Sequence, residues 1–447
     1  LSTLPALEAA LATSLVAPPP ADLWQRDGHL FDLVIVGGGQ SGIGTAWALM
    51  RDGFTNILVI DENPPGREGP WDTFARMPTL RTPKGPTGVD GGLPGLTVRD
   101  WFEATYGEPA WADLTFIPTQ DWMAYLRWLR RITGVPVVNQ VRMTHVGPAS
   151  SQAALRLSCE TPLGPRVLLA RKLVMATGYL GGGGPRIPSV IADNLPRTHY
   201  AHSSEQIDFT ALRGRTVAVI GAGASAFDNA ATAAEHGASV VHHLVRRPEM
   251  PVVNLVRWMD FAAFARAFVD LPDRLRVAYV RRFLATPMPP PPDTLLRVER
   301  LPNHVLHLGA PVLDAQMEGQ RIVLTLPERR MEADFVILGT GFVTDILLRR
   351  ELAEVLEHAA FWRDRYRPAQ QPDWVDERIA AYPYLGREMQ FQQREPGTAP
   401  WVENVCLFSN ASTASSGPIG SGINALKFNI ARLVSGLTRD LWRADAA

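Results

Sequence analysis

The stretch from Phe31 to Glu62, FDLVIVGGGQSGIGTAWALMRDGFTNILVIDE, decides the fold. Leu33-Val34-Ile35-Val36 is a short apolar run of the kind a strand buried on both faces shows, and Gly37-Gly38-Gly39-Gln40-Ser41-Gly42 follows at once. A helix over 45–50 completes a strand, loop, helix order. Its glycines permit a tight turn, let the backbone approach a pyrophosphate, and let the helix pack closely on the strand. The helix N-terminus then offers free N–H groups and a partial positive charge to the phosphates. A second apolar run, 57–60, ends in Asp61, nineteen residues after Gly42, where a ribose-hydroxyl acceptor belongs; Glu62 follows.

A second signature lies downstream. The apolar run 216–220 leads into Gly221-Ala222-Gly223-Ala224-Ser225-Ala226 and a helical stretch to His236. Ala226 replaces the third glycine, a position that serves only close helix–strand packing. The next strand, 239–245, ends in Arg246 and Arg247, in the slot read as equivalent to Asp61. A carboxylate there accepts a ribose hydroxyl and repels a 2′-phosphate, whereas a guanidinium does the opposite. The pattern assigns FAD to the first loop and NADPH to the second; the alternative is that the two arginines merely solvate a strand end. The fold expected is α/β, with two Rossmann-like dinucleotide-binding domains and the NADPH domain inserted in the FAD domain. Its parts are an N-terminal helix and Pro-rich arm (1–30), a first FAD-binding segment (31–205), the NADPH domain with a helical insertion (206–325), and a return FAD segment with a C-terminal helix (326–447).

The 447 residues carry a formal charge of −1, so neither nucleic acid nor a membrane surface is an expected partner. Lys84, Lys172 and Lys427 are the only lysines. No run is long and apolar enough to span a bilayer, and the Ala/Leu-rich start lacks a preceding cation and is broken by Pro18-Pro19-Pro20, unlike a cleaved signal. Cys159 and Cys406 form no CxxC motif, which points to a reduced, cytoplasmic setting and to no metal site.

Between the signatures, 62–96 reads as a long irregular loop packed by Trp71, Phe74, Met77 and Leu80. Helices are expected over 98–106 and 119–132, the second capped by Thr119, and strands over 135–141, 155–159, 166–169 and 171–175, the last ending at Ala176-Thr177-Gly178. The region 252–286 is helical in pattern. Strands over 320–326 and 331–338 end in Gly339-Thr340-Gly341-Phe342, a second version of Ala176-Thr177-Gly178-Tyr179. A helix near 346–356, a strand over 405–408, a Ser/Gly loop and a terminal helix over 423–437 close the chain.

Two dinucleotide sites in one chain imply hydride transfer between cofactors. Disulfide reductases pass those electrons through a protein disulfide, which Cys159 and Cys406 cannot supply, so the leading use of a reduced flavin is reaction with dioxygen. The paired GGGQSG and GAGASA loops, the EGPW after Asp61 and the ATGY and GTGF strand ends resemble the class B flavoprotein monooxygenases: flavin-containing monooxygenases, N-hydroxylases and Baeyer–Villiger monooxygenases. The similarity covers roughly 31–437. It implies bound FAD, NADPH as reductant, a C4a-peroxyflavin or hydroperoxyflavin as the oxygenating species, and a small organic substrate that takes one atom of O2 by Baeyer–Villiger oxidation or N/S-hydroxylation. Carried over by position, Gly37, Gly39, Gln40, Ser41 and Gly42 face the FAD pyrophosphate and Asp61 and Glu62 its ribose. Trp71 lies by the isoalloxazine, Val141 by the adenine and Ala176, Thr177 and Gly178 beside the FAD. Gly221, Gly223, Ala224, Ser225, Ala226, Arg246 and Arg247 face NADPH, Gly341 begins the return segment, and the loop before the terminal helix reaches the pyrimidine edge. A flavoprotein reductase passing electrons to a partner protein is the alternative.

Departures from the family mark the candidate catalytic residues. The linker motif FxGxxxH keeps His202 and Ser203, while Pro196 and Thr198 stand for its Phe and Gly. Arg81 occupies the place of a flavin-side asparagine. A fixed cation there would favour an anionic, Baeyer–Villiger nucleophile; alternatively Arg81 binds a phosphate or substrate carboxylate, or pairs with an acid such as Asp90. Arg257 is a second candidate cation or a solvated helix residue. His202 is a catalytic candidate or a linker histidine satisfied by backbone.

Overall fold

The computed structural model describes residues 3–85, 88–150, 154–365, 376–418 and 422–446. Its larger sheet has seven strands. Leu30–Val36 lies at the centre, with Ile57–Asp61 and then Val137–Asn139 on one side and Gly164–Gly178 on the other, all parallel. Successive side chains of Leu33–Ile35 leave by opposite faces, so Leu33 and Ile35 join one core and Val34 another. Helices Gln40–Arg51, Thr119–Thr133 and Leu426–Ala446 cover the first face. The second is covered by the ribbon Arg142–Pro148 and Leu155–Thr161 and by the segment around Ile346–Phe361.

Where two strands were expected across 166–175, one continuous strand, Gly164–Gly178, is found. Its first half alternates because it pairs with Leu155–Thr161 as a ribbon, and residues 173–176 are apolar and buried because they lie in the sheet between Leu30–Val36 and Val405–Ser409. The change of pattern marks a change of neighbours. Thr119 is the first helical residue and not the cap, and it turns its hydroxyl to the Met77 carbonyl at 2.8 Å. The helix expected near 346–356 is two 3-10 turns followed by Ala353–His358.

A second sheet holds five parallel strands in the order Tyr200–His202, Phe335–Leu338, Thr216–Ile220, Val240–Leu244, His304–His307. Tyr200–His202 and Phe335–Leu338 belong to this sheet, so the second unit extends past the boundaries expected at 205 and 325. The two units join where Gly183–Pro185 pairs antiparallel with Phe342–Thr344, and there Tyr179 of ATGY stacks on Phe342 of GTGF with centroids 5.9 Å apart. Among the described residues no helix is long and apolar enough to cross a membrane.

The two glycine loops are built alike. A Cβ on Gly37 would lie 2.4 Å from the Ala176 carbonyl oxygen, and one on Gly221 would lie 2.2 Å from that of Gly339. The strand-end ATG and GTG motifs thus press their backbones against the first glycine of each loop, at φ values of +110° and +148° that favour glycine. Gly42 is as tightly held, 1.9 Å from the Gly37 oxygen to a Cβ built on it. Because both neighbours are backbone, Gly42→Ala is expected to destabilise the first unit by about 3 kcal/mol or more, read as a drop in thermal midpoint.

Candidate functional site

The first loop opens at the carboxyl ends of the parallel strands, where ligands of such sheets bind. Beside it lies a cavity of about 220 Å³ lined by Gly38, Gly39, Glu68, Arg127 and Arg130 among others. Gly39 has room that its neighbours lack: the nearest heavy atom to a built Cβ is the Gly69 Cα at 3.8 Å. Helix Gln40–Arg51 starts there, and the Gln40 side chain accepts from Trp122 Nε1 at 3.2 Å. Trp71 packs edge-on to Trp122, 6.5 Å between centroids. Two donors at this end are buried without a partner, Trp71 Nε1 and Thr177 Oγ1, although buried polar groups are normally satisfied. An open glycine cradle, a helix N-terminus and two waiting donors fit a dinucleotide.

Asp61 is buried and already occupied. Its Oδ2 accepts from Gly38 N at 2.7 Å, and its Oδ1 accepts from Asn63 N and Nδ2 at 2.8 and 2.9 Å. It therefore shapes the glycine loop and keeps spare lone-pair capacity for a ribose hydroxyl. Val141 donates its N–H to the Asp61 carbonyl at 2.9 Å, while its side chain is buried in the core. Glu62 points outward and lies 3.8 Å from Arg142 Nε.

A triad around the buried Glu68, which the sequence reading passed over, supports this end. Glu68 Oε1 accepts from Asn139 Nδ2 at 2.6 Å and from Arg130 Nη1 at 2.5 Å, and Arg130 Nη2 donates to Asn139 Oδ1 and to the Val137 carbonyl, both at 3.0 Å. The one signal was the adjacency of Glu68 to Gly69-Pro70-Trp71.

In the second unit the strand register revises one expectation. Val36 pairs with Ile60 and Ile220 with Leu244, so the residue equivalent to Asp61 is Val245, fully buried, and Arg246 matches Glu62. The acid is thus replaced by an apolar residue, with the two arginines immediately after it. Neither Arg246 nor Arg247 has a side-chain partner among the described residues, and Arg246 is exposed. Helix Ala224–Glu235 begins at Gly223, whose Cβ position has nothing within 4 Å.

Of the three catalytic candidates, Arg81 is about a third exposed and forms an ion pair with Asp228, on the first helix of the second unit; the acid is Asp228 and not Asp90. Asp228 is buried and also accepts from Thr294 Oγ1 at 3.3 Å, with Arg297 Nη1 at 3.9 Å. Burial holds its carboxyl above the usual carboxylate value, against the opposing pull of Arg81 and Arg297. Asp228 was legible only as a lone acid in the alanine-rich run Ala224 to Ala234. The same irregular segment grips the second unit again through Arg76, which donates to the Glu205 carbonyl at 3.2 Å, lies over the Phe209 ring and receives Arg297 Nη1 on its own carbonyl at 3.0 Å.

His202 is fully buried. Ser204 N donates to its Nδ1 at 3.1 Å, so Nε2 carries the proton and donates to the Gly341 carbonyl at 2.9 Å. Burial holds its pKa below the usual value. It acts as a neutral clasp between the linker and Gly341, with both nitrogens engaged. Arg257 is exposed on the short helix Leu255–Met259, and its side chain has no partner among the described residues. The loop expected at the pyrimidine edge lies partly outside the described residues, at 419–421.

Cys159 and Cys406 are buried and unpaired in the cores on opposite faces of the large sheet, and burial pushes both thiols up to about 12. Neither is a thiolate, and no dithiol relay exists.

With this geometry in view, a model of the pyridine nucleotide-disulphide oxidoreductase family matches residues 34–254. The FAD-dependent urate hydroxylase of Xanthomonas campestris is 40% identical over 94% of this chain and 87% of its own length. Among solved structures, ornithine hydroxylase PvdA from Pseudomonas aeruginosa superposes with a TM-score of 0.74 at 18% identity, covering 92% of this chain and all of that one. The Kutzneria ornithine N-hydroxylase KtzI, solved with reduced FAD, NADP+ and ornithine, gives 0.71 at 16%, covering 92% and all of it respectively. The chain belongs to the class B flavoprotein monooxygenases. It is an oxidoreductase, and a homologue of the Xanthomonas urate hydroxylase.

The Arg81–Asp228 pair is expected to hold the two units together. Arg81→Ala should cost about 1–3 kcal/mol, since it leaves a buried carboxylate with poorer partners. The double variant with Asp228→Asn should recover part of that loss. Thermal midpoints of the two singles and the double measure the coupling, and full additivity would refute it.

Proposed function

We propose that this chain is an FAD- and NADPH-dependent monooxygenase of two Rossmann-like domains, the NADPH domain inserted in the FAD domain, that hydroxylates urate or a closely similar purine. The observation that carries the substrate is the 40% identity to a urate hydroxylase along nearly the whole chain. One atom of O2 enters the substrate, the other leaves as water, and NADPH supplies two electrons. FAD, when bound, accepts the hydride and activates O2.

The residues divide the remaining work. Gly37 to Gly42 and the N-terminus of Gln40–Arg51 hold the FAD pyrophosphate, Asp61 orients the loop and reaches the ribose, and Trp71 and Thr177 offer donors to the cofactor. Gly221, Gly223, Ala224, Ser225 and Ala226 hold the second pyrophosphate, and Arg246 and Arg247 take the 2′-phosphate. Hydroxylation of an electron-rich ring calls for an electrophilic oxygen donor. The pairing of Arg81 with Asp228, which spends the free cation a Baeyer–Villiger step needs, supports hydroxylation over ketone oxidation.

Purified protein loaded with FAD should oxidise NADPH under air only slowly, and urate should accelerate that oxidation with one O2 consumed per urate lost. NADPH oxidation that yields peroxide alone and spares urate would overturn the substrate. Gly39→Val should fold with an unchanged thermal midpoint for the apoprotein and yet bind no flavin, because its side chain enters open space that the pyrophosphate needs. Arg246→Ala with Arg247→Ala should raise KM for NADPH by about 10- to 100-fold, the worth of one or two charge-assisted hydrogen bonds, and leave KM for NADH nearly unchanged.

A further inference from the structure

Four of the ten histidines stand on two neighbouring strands of the second sheet, His242 and His243 on Val240–Leu244 and His304 and His307 on His304–His307. They pair across the strands by opposite faces: His242 Nδ1 lies 3.1 Å from His307 Nε2, and His243 Nδ1 lies 3.3 Å from His304 Nε2. The second pair ends at the nucleotide loop. His243 Nε2 is 2.9 Å from the carbonyl oxygen of Gly221, the first glycine of GAGASA.

A carbonyl only accepts, so His243 Nε2 carries a proton and Nδ1 is a lone pair; His304 Nε2 must then donate to it. The tautomers of both rings follow from the one fixed acceptor. His243 is fully buried, edge-on to Phe227 of helix Ala224–Glu235 with centroids 4.3 Å apart, and burial together with His304 pushes its pKa down to about 3, so the ring stays neutral.

The peptide plane gives this bond a consequence for the ligand. In a trans peptide the C=O and the following N–H point in opposite directions. Drawing the Gly221 carbonyl toward His243 therefore turns the Ala222 N–H the other way. In the first loop the matching N–H, that of Gly38, is taken by Asp61 at 2.7 Å. In the second loop the matching side chain is Val245, which accepts nothing, and Arg246 and Arg247 follow it.

We propose that His243, backed by His304, is a positioning residue for the reduced nicotinamide nucleotide: it holds the Gly221 carbonyl so that the Ala222 N–H faces the nucleotide beside Arg246 and Arg247. The two loops thus use the same peptide group in opposite senses. In the FAD loop a protein carboxylate consumes its N–H; in the second loop a histidine anchors its carbonyl and leaves the N–H for the ligand's anionic oxygens. This rests on the second loop binding NADPH, as proposed above.

His243→Phe keeps the ring volume and its contact with Phe227 but removes the donor. It should raise KM for NADPH about three- to tenfold, the worth of one hydrogen bond, with kcat within twofold of wild type and flavin content unchanged. His243→Gln, whose amide N–H reaches a similar position, should restore most of the affinity. His304→Leu, which frees the His243 tautomer, should give a smaller rise and serves as the test if His243→Phe does not fold. Gly223→Val is the control for the site itself, since its side chain enters the open cradle. A rise with Gly223→Val but none with His243→Phe or His304→Leu overturns the proposal, as does a Gln variant no better than Phe. No rise with Gly223→Val removes the NADPH assignment of the loop, and the proposal with it.

Discussion

Two close backbone approaches organise this molecule. At Gly37 and again at Gly221, a strand-end carbonyl, of Ala176 and of Gly339, sits where any side chain would have to go. The approach lets the strand that closes each unit end against the loop that opens it, which brings Trp71 and Thr177 to one mouth and Arg246 and Arg247 to the other. Loop, strand end and helix N-terminus are then parts of one rigid turn, and a phosphate-bearing ligand meets N–H groups already aimed. The sharing of this device by both units explains why TG recurs after two otherwise different strands.

The units are coupled by an apolar cluster, in which Met259, Phe264 and Phe268 pack with Trp362, Tyr382 and Ala414, and by a small set of polar and aromatic contacts. Tyr179 on Phe342 and His202 on the Gly341 carbonyl tie the two crossing linkers to each other. Away from the linkers, the irregular segment after Trp71 reaches the second unit through Arg76 and Arg81, and Asp228 is the buried acid that receives it. A buried carboxylate depends strongly on its cations, here Arg81 and the more distant Arg297, because losing the closer partner leaves the charge poorly compensated. The irregular segment that follows the first glycine loop is therefore also one that fixes the helix of the second glycine loop against the first unit.

The chemistry follows from what is neutralised as much as from what is present. Both thiols are buried and protonated on opposite faces of a sheet, which removes the disulfide route although a disulfide reductase family model matches the first half of the chain. Arg81 is balanced by Asp228. Among the described residues, Arg246 and Arg247 have no side-chain partner, and Val245 before them is apolar and buried.

Much of this was legible in the chain. The two strand–glycine–helix units, their order, the pair of arginines at the end of the second unit's strand, and the want of a redox cysteine pair all follow from local spacing, because apolar runs and glycine positions act within a few residues of each other. Sequence counting nonetheless placed Arg246 one residue off, in the slot that strand pairing gives to Val245, and split Gly164–Gly178 in two where only its neighbours change. The partners of charges were beyond it. Arg81 and Asp228 are 147 residues apart, Glu68 meets Asn139 across 71, and His243 serves a carbonyl 22 residues before it. Such pairs have no period to betray them: whether a charged or polar side chain is free, paired or buried depends on which surfaces the fold brings together, and that is decided only in the tertiary structure.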